Sequence, residues 1–428
     1  MKYKFSLIQS TSLVVGNVVG AGILMLPASL AVYGSFGIFG WMITSLGAIM
    51  LGLVFASLSQ HFTKTGGPYT YVKEVFGKFA GFQTAWIYWL ANTISNIGIA
   101  IAFVSYLSTV FPEIAETPLY GFLISLGCIW LVMLLNCLGL AIFARLQVLM
   151  TLAKIIPLIF IGAVGIFYVD WNNVYPFQIS AGYSVKTVIL STISLSIFSF
   201  IGIESATIPS ENIKNPKKVI ALATILGTSI AAVIYMWIHL VIMGILGTET
   251  LATSPAPFAQ AASKIFGDQV GTLIAIIAAF ATFSTLNGWM LLQGQLPMAA
   301  ARDGLLPKIF GKVTKKGAPV FALLTSTILM SGLVFMNYQS SLVNQFTLII
   351  NLTSFSILLP YFGCSLAELR LLLKQPARDF KKFILPLAIS LLALSYTVLA
   401  IIGVGWESAL LGIGLIALGM PLYWYMQR

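Results

Sequence analysis

The sequence predicts an all-α integral membrane protein with twelve transmembrane helices, because it is strongly apolar and its apolar residues recur in long runs. Hydrophobic residues make up 59% of the 428 positions and charged residues only 8%, and the mean hydropathy is +0.97. A soluble domain of this length has a far more polar composition. Each run is near or above the ~20 residues that a helix needs to cross the hydrocarbon core. The runs lie at about 7–33, 37–60, 79–111, 119–142, 146–169, 187–209, 219–246, 269–297, 319–337, 344–369, 382–403 and 405–426.

The basic residues predict how these helices are oriented. The net charge is +11, which alone is compatible with nucleic acid binding. If the N-terminus is inside, however, 20 of the 23 Lys and Arg residues fall on the inner side, Lys186 and Lys264 fall outside, and Lys154 lies within a span. The positive-inside rule then predicts both termini in the cytoplasm. We therefore expect the protein to contact membrane lipid and not nucleic acid.

The first span contains an unusual polar and glycine-rich centre at residues 16–22. Gly16, Gly20 and Gly22 weaken a helix there, and Asn17 is polar, so we expect the helix to break. A break at membrane depth persists only where it is buried in protein or lines a polar cavity. The alternative is that Gly16 and Gly20 form a GxxxG face against which another helix packs.

Polar and aromatic residues in spans 3, 8 and 10 are candidates for a cavity wall. Tyr88, Asn92 and Asn96 recur every four residues and share one helix face. Trp289 lies in the middle of span 8, although tryptophan usually lies at the membrane interface. Ser354 lies near the middle of span 10. Each residue could instead serve helix packing, through interhelical hydrogen bonds or a buried ring.

Two charged residues lie well inside the predicted membrane region, away from the ends of the spans. Glu204, followed by Ser205, is the carboxylate placed deepest, which makes it a candidate for binding a proton or a cationic group. Lys154 shares a face of span 5 with Gln147 and Thr151. The alternatives are that Lys154 extends to the interface or that it pairs with Glu204 to hold two helices together.

Spans 1–5 and 6–10 share an arrangement that predicts two inverted repeats. The first helix of each block has a glycine-interrupted polar centre, at 16–22 and at 202–205. The two centres are five helices apart, so they cross the membrane in opposite directions. This pattern indicates a binding site at the midplane, where half-helix N-termini can bind an anion such as a carboxylate. We expect residues 1–170 to form the first repeat, 185–372 the second, and 380–428 two peripheral helices.

The chain resembles the amino acid–polyamine–organocation transporters, specifically the bacterial basic amino acid and polyamine antiporters that include the arginine/agmatine and cadaverine/lysine exchangers. The resemblance spreads over spans 1 to 8 in the same order. The matching stretches are 16–23 with 26–28, 66–69, 83–96, 200–206 with 214–217, 254–258, and 288–295 with 303–305.

The resemblance implies a five-plus-five inverted-repeat (LeuT-like) fold with broken helices 1 and 6. It implies exchange of a cationic amino acid for its amine, or for another amino acid, across the bacterial cytoplasmic membrane by alternating access, with a homodimer as a possible assembly. Glu204 is implied as the proton-linked carboxylate. The residues expected to bind substrate are Asn17, Val18, Gly20, Ala21, Gly22, Tyr88, Asn96, Phe198, Ile201, Ser205, Trp289 and Ser354.

Two departures from the antiporter pattern keep another transport mode open. Phe198 stands where the arginine/agmatine exchangers have tryptophan, and phenylalanine is the weaker cation–π partner. Lys154 is similar to the span-5 lysine of proton-dependent amino acid transporters, whose ammonium replaces a sodium ion. A proton-coupled symporter of broader or neutral specificity is therefore the main alternative.

Other function classes are disfavoured by the residue content. A channel would have rings of like residues along a pore. A membrane enzyme would need converging acid/base groups or metal ligands, but the only histidines are His61 and His239 and no acidic cluster accompanies them. We therefore predict a transporter that has no enzymatic activity, no metal site and no cofactor.

Overall fold

The computed structural model describes residues 4–138, 140–338, 342–374 and 380–426, and this part of the chain is helical without a β-strand. A single bridge joins Phe5 to Ile213. The α-helices are α1 (Leu7–Val18), α2 (Ala21–Ala31), α3 (Ile38–His61), α4 (Pro68–Phe76), α5 (Lys78–Val110), α6 (Glu113–Glu116), α7 (Pro118–Cys137), α8 (Leu140–Gly165), α9 (Val185–Phe200), α10 (Pro216–Leu246), α11 (Thr248–Ala252), α12 (Pro257–Phe266), α13 (Asp268–Arg302), α14 (Val320–Asn337), α15 (Leu342–Lys374), α16 (Phe380–Gly403) and α17 (Trp406–Met426).

Ten helical stretches of the described residues are long and apolar enough to cross a membrane. The prediction of an all-α, multi-pass membrane protein is therefore confirmed. Two of the twelve expected spans correspond to shorter apolar helices, Val185–Phe200 and Val320–Met336. The first of these is short because α9 ends at Phe200, whereas the apolar run continues to residue 209.

The helix of the first span is interrupted between Val18 and Ala21, where the glycines predict a break. The helix of the sixth span is interrupted after Phe200, and turns with a short 3-10 helix, Ser205–Thr207, follow it. Gly202 has φ = 111°, a conformation that residues with a Cβ atom rarely adopt. Both interruptions are buried, so their free backbone groups are shielded from lipid by protein.

The interrupted helices lie in the centre of the bundle and the last two helices at its edge. The most apolar window of the Leu7–Ala31 stretch is 94% buried, whereas that of α17 is 11% buried. α1 packs against α10, α8 and α13, while α5 packs against α13 and α15. The interruptions are therefore surrounded by the long helices α5, α8, α10, α13 and α15.

The connecting segments gather at two ends of the bundle. At one end the backbone N–H of Phe5 donates to Asn212 O (2.6 Å), and that of Gly66 donates to Ile208 O (2.9 Å). At the other end the backbone N–H of Phe36 donates to the carbonyl of residue 178 at 3.0 Å. We call the first the basic end; it comprises segments 4–6, 62–67, 208–215 and 303–319, which carry seven lysines and no more than two carboxylates.

Candidate functional site

A small cavity with buried walls lies between the two helix interruptions. It has room for about one water molecule. Seven of the twelve residues expected to bind substrate contribute to its wall. The lining residues are Asn17, Val18, Ala21, Gly22, Ser95, Ile99, Phe198, Ile201, Thr285 and Trp289.

Asn17 connects the two interruptions. Its Nδ2 donates to Ser205 Oγ at 3.0 Å, and its backbone carbonyl accepts from Trp289 Nε1 at 3.1 Å. The Trp289 ring lies against Gly202, where an added Cβ atom would be 3.0 Å from the ring. One polar residue therefore holds α1, the segment after α9, and α13 around the cavity.

Gly22 allows α2 to approach α9 closely. A Cβ atom placed on Gly22 would lie 2.7 Å from Ser199 Cα, a backbone atom that cannot move aside independently. Gly20 is similar, because a Cβ there would lie 2.8 Å from Thr285 Cβ. Gly20 therefore packs against α13 and is not among the residues of the cavity wall.

Glu204 lies outside the cavity wall and binds three hydrogen-bond donors. The hydroxyl groups of Tyr88 and Tyr361 donate to its two carboxylate oxygens, and the N–H of Gly202 donates to Oε2 at 3.2 Å. All four residues are buried. The structure thus assigns Tyr88 a contact with Glu204, whereas the sequence predicted contact with substrate.

Tyr361 was missed by the sequence reasoning, although a signal for it exists. It follows Ser354 by seven residues, which is two helical turns, so the two residues share one face of α15. Extending the face of Ser354 by two turns toward the basic end would have included Tyr361 as a partner for a buried carboxylate.

Lys154 is buried between α1 and α13. Its Nζ donates to the backbone carbonyl of Gly16 and, at 2.8 Å, to Thr285 Oγ1. It is 1% exposed, so the interpretation that it extends to the interface is wrong. The proposed pairing with Glu204 is also wrong: among the described residues, ion pairs join Lys64 and Lys73 to Glu74, and Lys73 to Asp303.

Three other expected substrate ligands also lie outside the cavity wall. Asn96 and Ser354 are fully buried, and their side-chain polar atoms have no hydrogen-bond partner within the described ranges. Ser205 contacts Asn17, as given above. On α5 the cavity is lined by Ser95 and Ile99, one turn apart. The face of Asn96 is thus rotated by about 100° from the face that meets the cavity.

Asp303 closes the basic end. It forms an ion pair with Lys73 and accepts a hydrogen bond from the Tyr69 hydroxyl at 3.3 Å. Burial raises the pKa of Tyr69, and the neighbouring Asp303 charge raises it further. Tyr69 therefore remains a protonated donor, which ties α4 to the end of α13.

Comparison with known proteins places the chain in a family. The family model described as amino acid permease matches residues 5–419. The cadaverine/lysine antiporter of Escherichia coli (strain K12) is 36% identical over 331 residues, which cover 77% of this chain and 74% of the relative. The putrescine transporter PotE of the same strain is 32% identical over 98% of this chain and 95% of the relative. PotE of Haemophilus influenzae is 32% identical, with 99% and 97% covered. The chain therefore belongs to the amino acid permease family of the amino acid–polyamine–organocation superfamily, and to its basic amino acid and polyamine antiporter type.

Proposed function

We propose that this protein is a secondary transporter that exchanges a cationic amino acid for its amine, or for another amino acid, by alternating access. The observation that carries the proposal is the buried cavity at the meeting point of two interrupted helices. The similarity to the cadaverine/lysine antiporter and to the putrescine transporter PotE supports an amino acid or polyamine as substrate.

The two half-helix ends give the cavity opposite partial charges. α2 begins at Ala21 without a side-chain cap, so its first N–H groups and its dipole favour a carboxylate. α1 ends at Val18 and α9 ends at Phe200, and the carbonyl groups at such C-terminal ends favour an ammonium. An α-amino acid presents both groups two bonds apart, so it matches this arrangement.

The rest of the cavity wall suits a long side chain that ends in an amine. Phe198 and Trp289 supply aromatic faces for a cation, and Ser95 and Thr285 supply hydroxyl groups. No lining residue is charged, so the cation is not held by an ion pair. A diamine has the same terminal amine as the cationic amino acid and lacks only the carboxylate. One site could therefore bind the two substrates in turn.

Glu204 is proposed as the proton-linked group of exchange. As a carboxylate it accepts from two tyrosine hydroxyls and a backbone N–H, but a protonated carboxyl must itself donate one hydrogen bond. Protonation would therefore rearrange the contacts that join α5 and α15 to the second interruption.

Proton symport through Lys154 is the second candidate. The favouring observation is that the Lys154 ammonium joins Gly16, near the first interruption, to Thr285 in the cavity wall. Loss of the ammonium charge would weaken both hydrogen bonds and release α1 from α13. Proton binding would then be linked to closure of the site.

For the whole molecule we propose twelve spans in the bacterial inner membrane with both termini cytoplasmic. Residues 1–170 and 185–372 would form the inverted repeats, residues 380–428 the peripheral helices, and a homodimer remains a candidate assembly. The small size of the buried cavity supports a carrier over the more remote alternative of a channel, because a conducting pore must be continuous.

A substrate panel in proteoliposomes tests the proposal. Labelled lysine, arginine, ornithine, leucine and the matching diamines are offered outside, with and without an internal counter-substrate and with an imposed pH gradient. Exchange predicts uptake of a cationic substrate only into loaded vesicles. Uptake into empty vesicles driven by the pH gradient would favour symport instead, and conductance without saturation would contradict a carrier.

A further inference from the structure

Five buried carboxamides lie on one side of the cavity, and the proposed function does not use four of them. Each is at most 6% exposed. Each also has at least one amide nitrogen or oxygen without a hydrogen-bond partner among the described residues. We call this group the amide row: Asn17 on α1, Asn136 on α7, Gln147 on α8, and Asn287 and Gln295 on α13.

Close contacts connect the middle of the amide row. Asn136 Nδ2 donates to Asn287 Oδ1 at 3.0 Å. At the next residue, Gly288, an added Cβ atom would touch Asn17 Oδ1 and would lie 3.0 Å from Gln147 Nε2. Two amide heads from α1 and α8 therefore converge on a surface of α13 that is open only because residue 288 is glycine.

The amide row has one end at Lys154. A Cβ atom on Gly16 would touch Gln147 Nε2 and lie 2.6 Å from Thr151 Oγ1. The carbonyl of the same Gly16 accepts the Lys154 ammonium. The carboxamide of Gln147 therefore lies beside Gly16, the residue whose carbonyl accepts the hydrogen bond from Lys154.

The other end of the amide row opens into a second cavity beside the basic end. This cavity is lined by Asn136, Leu291, Gln295, residues 317–319 and Leu323, and it has room for about one water molecule. Two residues of its wall, Asn136 and Gln295, each have an amide oxygen without a hydrogen-bond partner among the described residues. The segment 317–319 precedes α14 and belongs to the basic end.

We propose that the amide row holds a chain of ordered water molecules that connects the basic end to Lys154. Buried amide groups are nearly always hydrogen-bonded, and a small polar cavity with several acceptors and donors is the type of site that ordered water occupies. The inference rests on the proposed function only where it gives this water a role, which is proton exchange of Lys154. In that role the ammonium gives a proton to the adjacent water, leaving a neutral amine, and the excess proton leaves at the basic end.

This path is distinct from the Glu204 contacts, and of the amide row only Asn17 also lines the substrate cavity. The ammonium of Lys154 contacts neutral groups, the Gly16 carbonyl and the Thr285 hydroxyl, and a cavity beside it is lined by apolar side chains of α2, α8, α12 and α13. The titratable groups that neighbouring α10 buries point elsewhere: Tyr235 contacts Val18 O, and His239 lies against Trp41. The amide row is thus the polar connection that the described residues offer to Lys154 from the basic end.

Hydroxyl-radical footprinting by X-ray radiolysis tests for the water without using transport. Radicals form from ordered water and oxidise the side chains beside it. Leu291 lines the second cavity and is 6% exposed, while Leu286 is buried on the same helix away from it. We expect oxidation at Leu291 and none at Leu286, and we expect Asn136→Leu to abolish it. Equal labelling of the two leucines, or labelling that survives Asn136→Leu, would overturn the proposal.

Transport assays test whether the ordered water exchanges protons with Lys154. Asn136→Leu should abolish the response of uptake to an imposed pH gradient and preserve exchange at equal pH, while Asn136→Ser, which leaves a hydroxyl and space for water, should keep both. An equal loss of both activities in Asn136→Leu would show that the amide row only holds helices together. If wild-type uptake ignores the pH gradient, the role of Lys154 fails, whereas the footprint still decides whether the water is present.

Discussion

Glu204, the proposed proton-linked group, forms hydrogen bonds with three parts of the protein. Its carboxylate is buried and bound by Tyr88 of α5, Tyr361 of α15 and the N–H of Gly202. These contacts connect the carboxylate to two long helices and to the second interruption.

We expect Glu204→Gln to make exchange insensitive to pH and to slow it about tenfold. A carboxamide does not titrate, so the pH dependence should be lost. Its NH2 group cannot accept the hydrogen bond that one of the tyrosine hydroxyls donates to the carboxylate. The loss of one hydrogen bond to a charged group costs roughly 1.5–3 kcal/mol. The measurement is the exchange rate in proteoliposomes across pH. Glu368→Gln is the matched control, because Glu368 is a buried carboxylate of α15 that accepts from Ser57 at 2.7 Å. A wild-type pH profile in Glu204→Gln would remove the assignment.

The variant Lys154→Met tests the second candidate function, proton symport through Lys154. Methionine keeps the apolar stem but loses the donors to Gly16 O and Thr285 Oγ1. We expect uptake driven by a pH gradient to disappear, and the melting temperature to fall, because an unpaired buried carbonyl costs about 1–3 kcal/mol. Lys264→Met is the control, since Lys264 also donates to a carbonyl, Ile245 O, but at the opposite end. Unchanged pH-driven uptake in Lys154→Met would return the lysine to a structural role.

Among the helices, the two interruptions decide the architecture of the site. α1 and α2 are separated at the glycines, α9 stops at Phe200, and both breaks are enclosed by longer helices. The first N–H groups of α2 have no helical partner and can be presented to a ligand, whereas the carbonyls at the end of α1 already accept hydrogen bonds from Lys154, Trp289 and Tyr235.

Gly22→Ala tests the close approach of α2 and α9. The new methyl group would meet the Ser199 backbone, and overpacking of this kind destabilises by about 1–3 kcal/mol. We expect a lower melting temperature in detergent and slower exchange. Gly127→Ala on α7 is the control: a Cβ there meets nothing within 4 Å, so helix propensity should make the change neutral or stabilising by up to about 1 kcal/mol. Equal melting temperatures for the two variants would contradict the packing argument.

The positions and interruptions of the helices could largely be predicted from the sequence, because they depend on apolar runs and glycines that are local in the chain. The positions of the long helices follow from apolar runs, and the interruption near Gly20 follows from low helix propensity. The orientation of α5 could not be derived, because periodicity shows that Tyr88 and Asn96 share a face but not which neighbour that face meets. The partners of Lys154 and Glu204 are equally non-local: Thr285 lies 131 residues from Lys154 and Tyr361 lies 157 from Glu204.

In the whole molecule, side-chain contacts join the segments at both ends of the bundle, and the cavity lies buried between them. Asp303 contacts Lys73 and Tyr69 at the basic end, while at the opposite end the Ser105 hydroxyl donates to Pro255 O at 2.9 Å beside α12. A substrate larger than water must therefore enter through a rearrangement of one end or the other. Such a molecule is suited to exchange, because opening one end while the other stays closed passes substrates one at a time.

The central claim is that the transported substrate occupies the cavity between the two interrupted helices, and cysteine protection tests it most directly. Ser95→Cys and Asn96→Cys are made separately in a chain whose native cysteines are replaced by serine, and each is treated with N-ethylmaleimide with and without lysine or cadaverine. Ser95 lines the cavity and Asn96 does not. We predict that substrate slows labelling at position 95 and leaves labelling at position 96 unchanged. Labelling at position 95 that substrate does not slow, in protein that still exchanges, would contradict the account.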